Sequence, residues 1–85
     1  MHQSSADSSI DQLLDASGLS CPLPLLKAKQ ALNRMSPGEV LKVVATDSGS
    51  VRDFRVYVDH SDHEMVDSFT DGECYIHIIR RGPKS

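Results

Sequence analysis

The sequence predicts an α/β (α+β) two-layer sandwich in the order strand, helix, strand, helix, strand, strand, with a mixed four-stranded sheet and both helices on one face. Three observations predict it. A run of strong helix formers, Leu25 to Leu32, is followed by the β-branched run Val40-Leu41-Lys42-Val43-Val44. Ser36-Pro37-Gly38 lies between them and supplies both usual helix breakers. Near the C-terminus, Asp71-Gly72 separates two strand-like segments and signals a hairpin. Right-handed crossovers then place both helices on the same side of the sheet.

Each element has its own reason. Ile10 to Ala16 forms a short first strand. Pro22 to Met35 forms the first helix, with Pro tolerated at its opening positions. At about 100° per residue, Leu25, Ala28, Ala31, Leu32 and Met35 share a core face. Leu23 and Leu26 fall on the other side, near Lys27, Gln30 and Arg34. Glu39 to Thr46 is the second strand. Asp47-Ser48-Gly49 is a loop, and Ser50 with Asp53 three residues on resembles a capping box that opens the second helix. Val51, Phe54 and Val58 fit a helical face there, although Phe54 to Val58 also alternates like a strand. Glu64 to Phe69 and Cys74 to Arg81 are the third and fourth strands. On the fourth, Cys74 shares a face with Ile76 and Ile78 and is expected in the core, with His77 on the open face.

The chain has 85 residues, enough for one domain. Residues 1–9 are polar and Ser-rich and read as a disordered tail, 10–82 as the domain, and 83–85 as a C-terminal tail. The formal charge of −3 argues against nucleic acid as a direct ligand, since phosphate binding calls for a basic face. No apolar run is long enough to cross a bilayer, so no membrane partner is expected. Two cysteines far apart in sequence make no disulfide framework, and a reducing cytoplasm fits them best. The expected state is a monomer.

The most informative residue is Cys21, followed at once by Pro22-Leu23-Pro24. Its place between a loop and a helical run predicts a thiol at a helix N-cap. There, unpaired backbone N–H groups and the positive end of the helix dipole favour a thiolate. Pro24 has no N–H, so the N–H of Leu23 is the expected donor to the sulfur. A modestly lowered pKa suits sulfur exchange, because an attacking thiol works best with a pKa near ambient pH. Leu23 and Leu26, rimmed by Lys27, Gln30 and Arg34, suggest a surface where a partner docks beside the thiol. The plain alternative is that isolated surface leucines require no explanation.

The stretch Leu14-Asp15-Ala16-Ser17-Gly18-Leu19-Ser20-Cys21-Pro22-Leu23-Pro24 resembles the opening of the TusA family of sulfur carriers, also called SirA-like, whose hallmark is Cys-Pro-x-Pro at the start of the first helix. The similarity runs on through Pro37-Gly38-Glu39, Ala45-Thr46-Asp47, Arg52-Asp53, His63-Glu64 and Asp71-Gly72. The resemblance implies sulfur relay. Cys21 would accept sulfane sulfur from a cysteine desulfurase as a persulfide and hand it to an acceptor protein. In different branches the endpoint is tRNA thiolation, molybdenum cofactor maturation or sulfur oxidation. No metal or organic cofactor is implied. One departure stands out: Val58 takes the place where TusA itself has a second cysteine.

Cys21 could be a structural cap, but cysteine is not a preferred cap and the flanking prolines are hard to explain by packing. A redox pair with Cys74 lacks the Cys-x-x-Cys arrangement. A non-catalytic interaction or regulatory module would use the exposed helix face alone. His60 and His63, with Asp59, Asp62 and Glu64, have a tempting metal-ligand spacing but read as a solvated connector. A Cys–His hydrolytic pair has no oriented third member in view.

Overall fold

The computed structural model describes residues 10–83. The tail expected over 1–9 lies outside the described residues, as do Lys84 and Ser85 of the C-terminal one. Six elements follow in the order expected: β1 (Gln12–Ala16), α1 (Leu23–Arg34), β2 (Val40–Ala45), α2 (Gly49–Asp59), β3 (Glu64–Asp71) and β4 (Cys74–Arg80). The sheet order is β1-β2-β4-β3. β1 pairs with β2 in parallel, while β4 runs antiparallel to both β2 and β3. This is the mixed α+β sandwich that the sequence predicts.

The core lies between the sheet and the two helices. From the sheet come Ala16, Leu41, Val43 and Ile79, and from the helices Ala28, Ala31, Leu32, Met35, Phe54 and Val58, all buried. Leu25 packs at the margin of this cluster, and Pro24 is buried too. In α1 the buried residues fall on the face that the helical period assigns to the core.

Local chemistry ends the elements. Met35, the C-cap of α1, is extended, and its N–H still reaches the Leu32 carbonyl. Gly38 takes a φ of +91°, which favours glycine, and turns the chain into β2. The turn is tied down by Gly38 N–H to the Arg81 carbonyl and by Arg81 N–H to the Glu39 carbonyl, each 2.8 Å. The Arg81 guanidinium donates to the same Leu32 carbonyl at 2.8 Å, a second bond at the end of α1.

Several local expectations change. The Ser50–Asp53 capping box does not form. Ser48 is the N-cap of α2 and makes no side-chain cap bond. Ser50 is buried, and its hydroxyl meets His77 Nε2 at 3.1 Å. His77 is not on the open face. It is 1% exposed and stacks on Phe54 with ring centroids 4.6 Å apart. Its Nδ1 meets the Ser68 hydroxyl at 3.0 Å, so both ring nitrogens find partners under the helices. Register explains the reversal: β4 pairs His77 with Val43, which faces the helices, and Ile76 with Val44. Cys74, Ile76 and Ile78 therefore share the face without helices, and Cys74 is half-buried rather than part of the core. In the hairpin, Asp71 pairs with Cys74, so the two turn residues are Gly72 and Glu73, one position later than expected.

His63 is also buried, against the expectation of a solvated connector. Its Nδ1 accepts from the Gly82 N–H at 2.9 Å, and its Nε2 meets the Tyr57 hydroxyl at 3.1 Å. With Nδ1 accepting, the neutral ring carries its proton on Nε2. Both ring nitrogens of His63 are thus engaged within the protein rather than turned toward His60.

Phe54→Ala should lower the unfolding free energy by about 3–5 kcal/mol in urea titrations, the usual cost of emptying a core aromatic site. Burial lowers the pKa of His77 and of His63 from an ordinary 6.5. Between folded and unfolded values the unfolded chain binds more protons, so stability is greatest above pH 6.5 and is lost as pH falls through the lowered folded values. Urea midpoints should drop from neutral pH toward the acid side of that window. A flat or rising profile would contradict the buried neutral imidazoles.

Candidate functional site

Cys21 stands on the turn that leads from β1 into α1, and it is exposed. The loop before it is anchored at both ends. Ser17 donates its N–H and hydroxyl to Asp15, and the Gly18 N–H donates to Thr46 Oγ1 at 2.8 Å. Cys21 and Pro22, joined by a cis peptide bond, are the middle residues of a turn closed by Leu23 N–H to the Ser20 carbonyl at 2.8 Å. The first helical bond runs from Leu26 N–H to the Pro22 carbonyl at 3.1 Å.

This geometry corrects the expected cap. Pro22, not Cys21, is the N-cap of α1, and no side chain caps the helix. The Leu23 N–H expected to hold the sulfur is taken by Ser20. The sulfur turns instead to the neighbouring helix, where the Cys21 thiol donates to Asp53 Oδ2 at 2.5 Å. The thiol pKa is consequently raised, not lowered. The hydrogen bond to Asp53 is the largest cause, followed by desolvation and by the negative charges of Asp53 and Asp47. A helix terminus acts only within its last turn and modestly. An acceptor in direct contact with the proton outweighs it.

Gly49, the first residue of α2, lies against the same corner. A Cβ there would lie 3.4 Å from the Cys21 Cβ, 3.7 Å from its Sγ and 2.8 Å from Asp47 Oδ2. The same Asp47 oxygen accepts the Gly49 N–H at 3.0 Å. The site is therefore a corner in which Cys21 from the β1–α1 turn, Asp47 from the β2–α2 loop, and Gly49 and Asp53 from α2 meet. Pattern reading missed the last three as site residues. The available signal was Gly49 and Asp53 at i and i+4, which lie on one face of a helix.

The proposed docking residues are on the surface. Leu23 is 45% and Leu26 46% exposed, and Lys27, Gln30 and Arg34 are exposed as well. Beyond Asp53, a shallow groove of about 500 Å³ runs between the helices, lined among others by Leu25, Lys29, Arg52, Tyr57 and His60. Lys29 Nζ sits 5.1 Å from the centroid of the Tyr57 ring. Cys74 is a free thiol on the helix-free face of the sheet, while the Cys21 sulfur touches α2 on the covered side. No group of three or more metal-ligating side chains is assembled among the described residues. No helix among them is long and apolar enough to cross a membrane.

Fold and corner together define a small α+β domain with one exposed thiol beside the start of its first helix. The family model described as Sulfurtransferase TusA matches residues 12–81. The chain is 49% identical over 71 residues to the sulfur carrier protein TusA of Allochromatium vinosum, covering 84% of this chain and 93% of that one. It is 39% identical over 70 residues to the putative sulfur carrier protein YrkF of Bacillus subtilis, covering 82% of this chain and 38% of that longer protein. In fold it resembles the crystal structure of a SirA-like protein from Desulfitobacterium hafniense, with a TM-score of 0.72, 23% identity and coverage of 84% of this chain and 97% of that one. The chain belongs to the TusA family of sulfur carrier proteins.

The close contact at Gly49 can be tested directly. Gly49→Val should displace the Asp47 carboxylate and crowd the thiol. The expected result is a loss of about 1–3 kcal/mol in urea unfolding, typical of overpacking, with severalfold slower modification of Cys21 by N-ethylmaleimide. Unchanged stability and rate would show that the corner has room to spare.

Proposed function

We propose that the protein carries sulfur as a persulfide on Cys21, loaded by a cysteine desulfurase and passed to an acceptor protein. The observation that carries this reading is the exposed Cys21 thiol at the mouth of α1 in a chain of the TusA family. The Cys21 sulfur attacks the outer sulfur of the donor persulfide, in the manner of thiol–disulfide exchange. The donor's own S–S bond breaks, and its inner sulfur leaves as a thiol. Cys21 then holds a reversible persulfide. Attack by an acceptor thiolate on the outer sulfur of Cys21 completes the relay. The exchange conserves oxidation state, so it requires no cofactor.

Leu23 and Leu26 form the apolar part of the partner surface, and Lys27, Gln30 and Arg34 give it a cationic rim suited to acidic partners. Pro22 and Pro24 stiffen the backbone beside the thiol. The relay belongs in the reducing cytoplasm, where a single thiol stays free for loading. The placement of Cys21 and Cys74 on opposite sides of the sheet favours single-thiol chemistry over an internal redox pair.

Incubation with a cysteine desulfurase and free cysteine, read by intact mass, tests the proposal. One added sulfur atom is expected on the wild-type chain and on Cys74→Ser, and none on Cys21→Ser. Sulfur retained by Cys21→Ser would overturn it. Leu26→Asp should slow loading by the desulfurase while changing stability by no more than about 0.5 kcal/mol, as for other exposed sites. A loss of several kcal/mol would place Leu26 in the core.

A further inference from the structure

The carrier reading leaves open what keeps an exposed thiol from reacting with every electrophile it meets, and the inference here rests on that reading. We infer that Asp53 is a specificity-determining residue: its carboxylate holds the Cys21 proton in the free protein and yields the sulfur to donors that bring a cation against it. The contact comes from a separate element, α2, and joins Cys21 Sγ to Asp53 Oδ2 across 32 residues of chain. An ionised carboxylate is only an acceptor, so the proton lies on sulfur. Asp47 adds a second carboxylate from the β2–α2 loop. Asp15, from the strand before Cys21, is engaged by Ser17. Arg52 and Lys29 line the groove beyond Asp53. The charges that act on the sulfur are therefore the two carboxylates, which also raise the pKa of Cys21.

Only a thiolate attacks efficiently. Cys21–SH gives up its proton, and the thiolate attacks the outer sulfur of R–S–SH. A new S–S bond forms as the donor's S–S bond breaks. The electron pair goes to the inner sulfur, which takes up a proton and leaves as R–SH, while Cys21 holds S–SH. Asp53 makes the first event rare in the free protein. A Lys or Arg from a docked donor pairs with Asp53 and adds positive potential at the sulfur, so the proton departs in the complex. Two carboxylates at the sulfur are the complement of such a cation.

The test uses the full chain carrying Cys74→Ser, with and without Asp53→Asn. The rate of alkylation by iodoacetamide, a neutral probe, is followed against pH. Asp53→Asn should move the profile to lower pH, raising the neutral-pH rate about tenfold for each pH unit of displacement. Loading by cysteine persulfide, a small donor, should rise in the same proportion. Loading by a cysteine desulfurase should rise less, so the preference for the protein donor falls severalfold. Superimposed profiles would overturn the inference, and so would an unchanged preference. If Asp53→Asn does not fold, the profile of the chain with Asp53 intact decides. A midpoint above that of cysteine in a short unstructured peptide supports the inference, and one at or below it overturns it. Failure of the carrier reading looks different: the desulfurase then adds no sulfur to the wild-type chain, while alkylation still reports the Cys21–Asp53 pair.

Discussion

The site depends on α1 and α2 being packed side by side on one face of the sheet. That arrangement is a matter of apolar burial. Leu41, Val43 and Ile79 present a continuous surface from the central strands, and Leu32 and Phe54 cover it, one from each helix. With both helices fixed there, the start of α2 comes up against the turn before α1. Cys21 and Asp53 meet only because of this. His77, buried and stacked on Phe54, extends the same support by bonding Ser50 at the root of α2. The chemistry at the surface thus leans on a core that contains no residue of the proposed relay.

Electrostatics at Cys21 is a contest between a diffuse field and a direct contact. The dipole of α1 favours negative charge near its start, but the effect is small at an exposed position and fades within a turn. The hydrogen bond to Asp53 stabilises the protonated sulfur directly, and the charge of Asp47 acts in the same direction. The resting state is a thiol. A carrier in this state waits for its partner, in contrast to thiol enzymes that keep a standing thiolate. The sulfur is exposed, as the proposed transfer requires.

Much of the architecture was legible in the chain because its signals are local. The apolar period of Leu25, Ala28, Ala31 and Leu32, the breakers Ser36-Pro37-Gly38 and the β-branched run of β2 each act over a few residues. The exposed patch of Leu23 and Leu26 was readable for the same reason. What escaped pattern reading depends on tertiary register. His77 and Cys74 exchange roles because pairing of β4 with β2, not alternation alone, decides which face meets the helices. Ser50 and Asp53 have the spacing of a capping box, yet each finds a better partner from a distant element: His77 for the hydroxyl and Cys21 for the carboxylate. The Leu23 N–H was open to the sulfur in sequence terms, and a turn carbonyl took it first.

The central claim is that one sulfur atom moves onto Cys21 and off again. The most direct measurement is a chase with radiosulfur. The carrier is labelled from radioactive cysteine by a desulfurase, repurified without reductant, and offered a candidate acceptor protein. Label should be confined to the peptide containing Cys21, released at once by dithiothreitol, and transferred to the acceptor with matching loss from the carrier. Label that resides elsewhere in the chain, or that stays on Cys21 whatever acceptor is supplied, would contradict it.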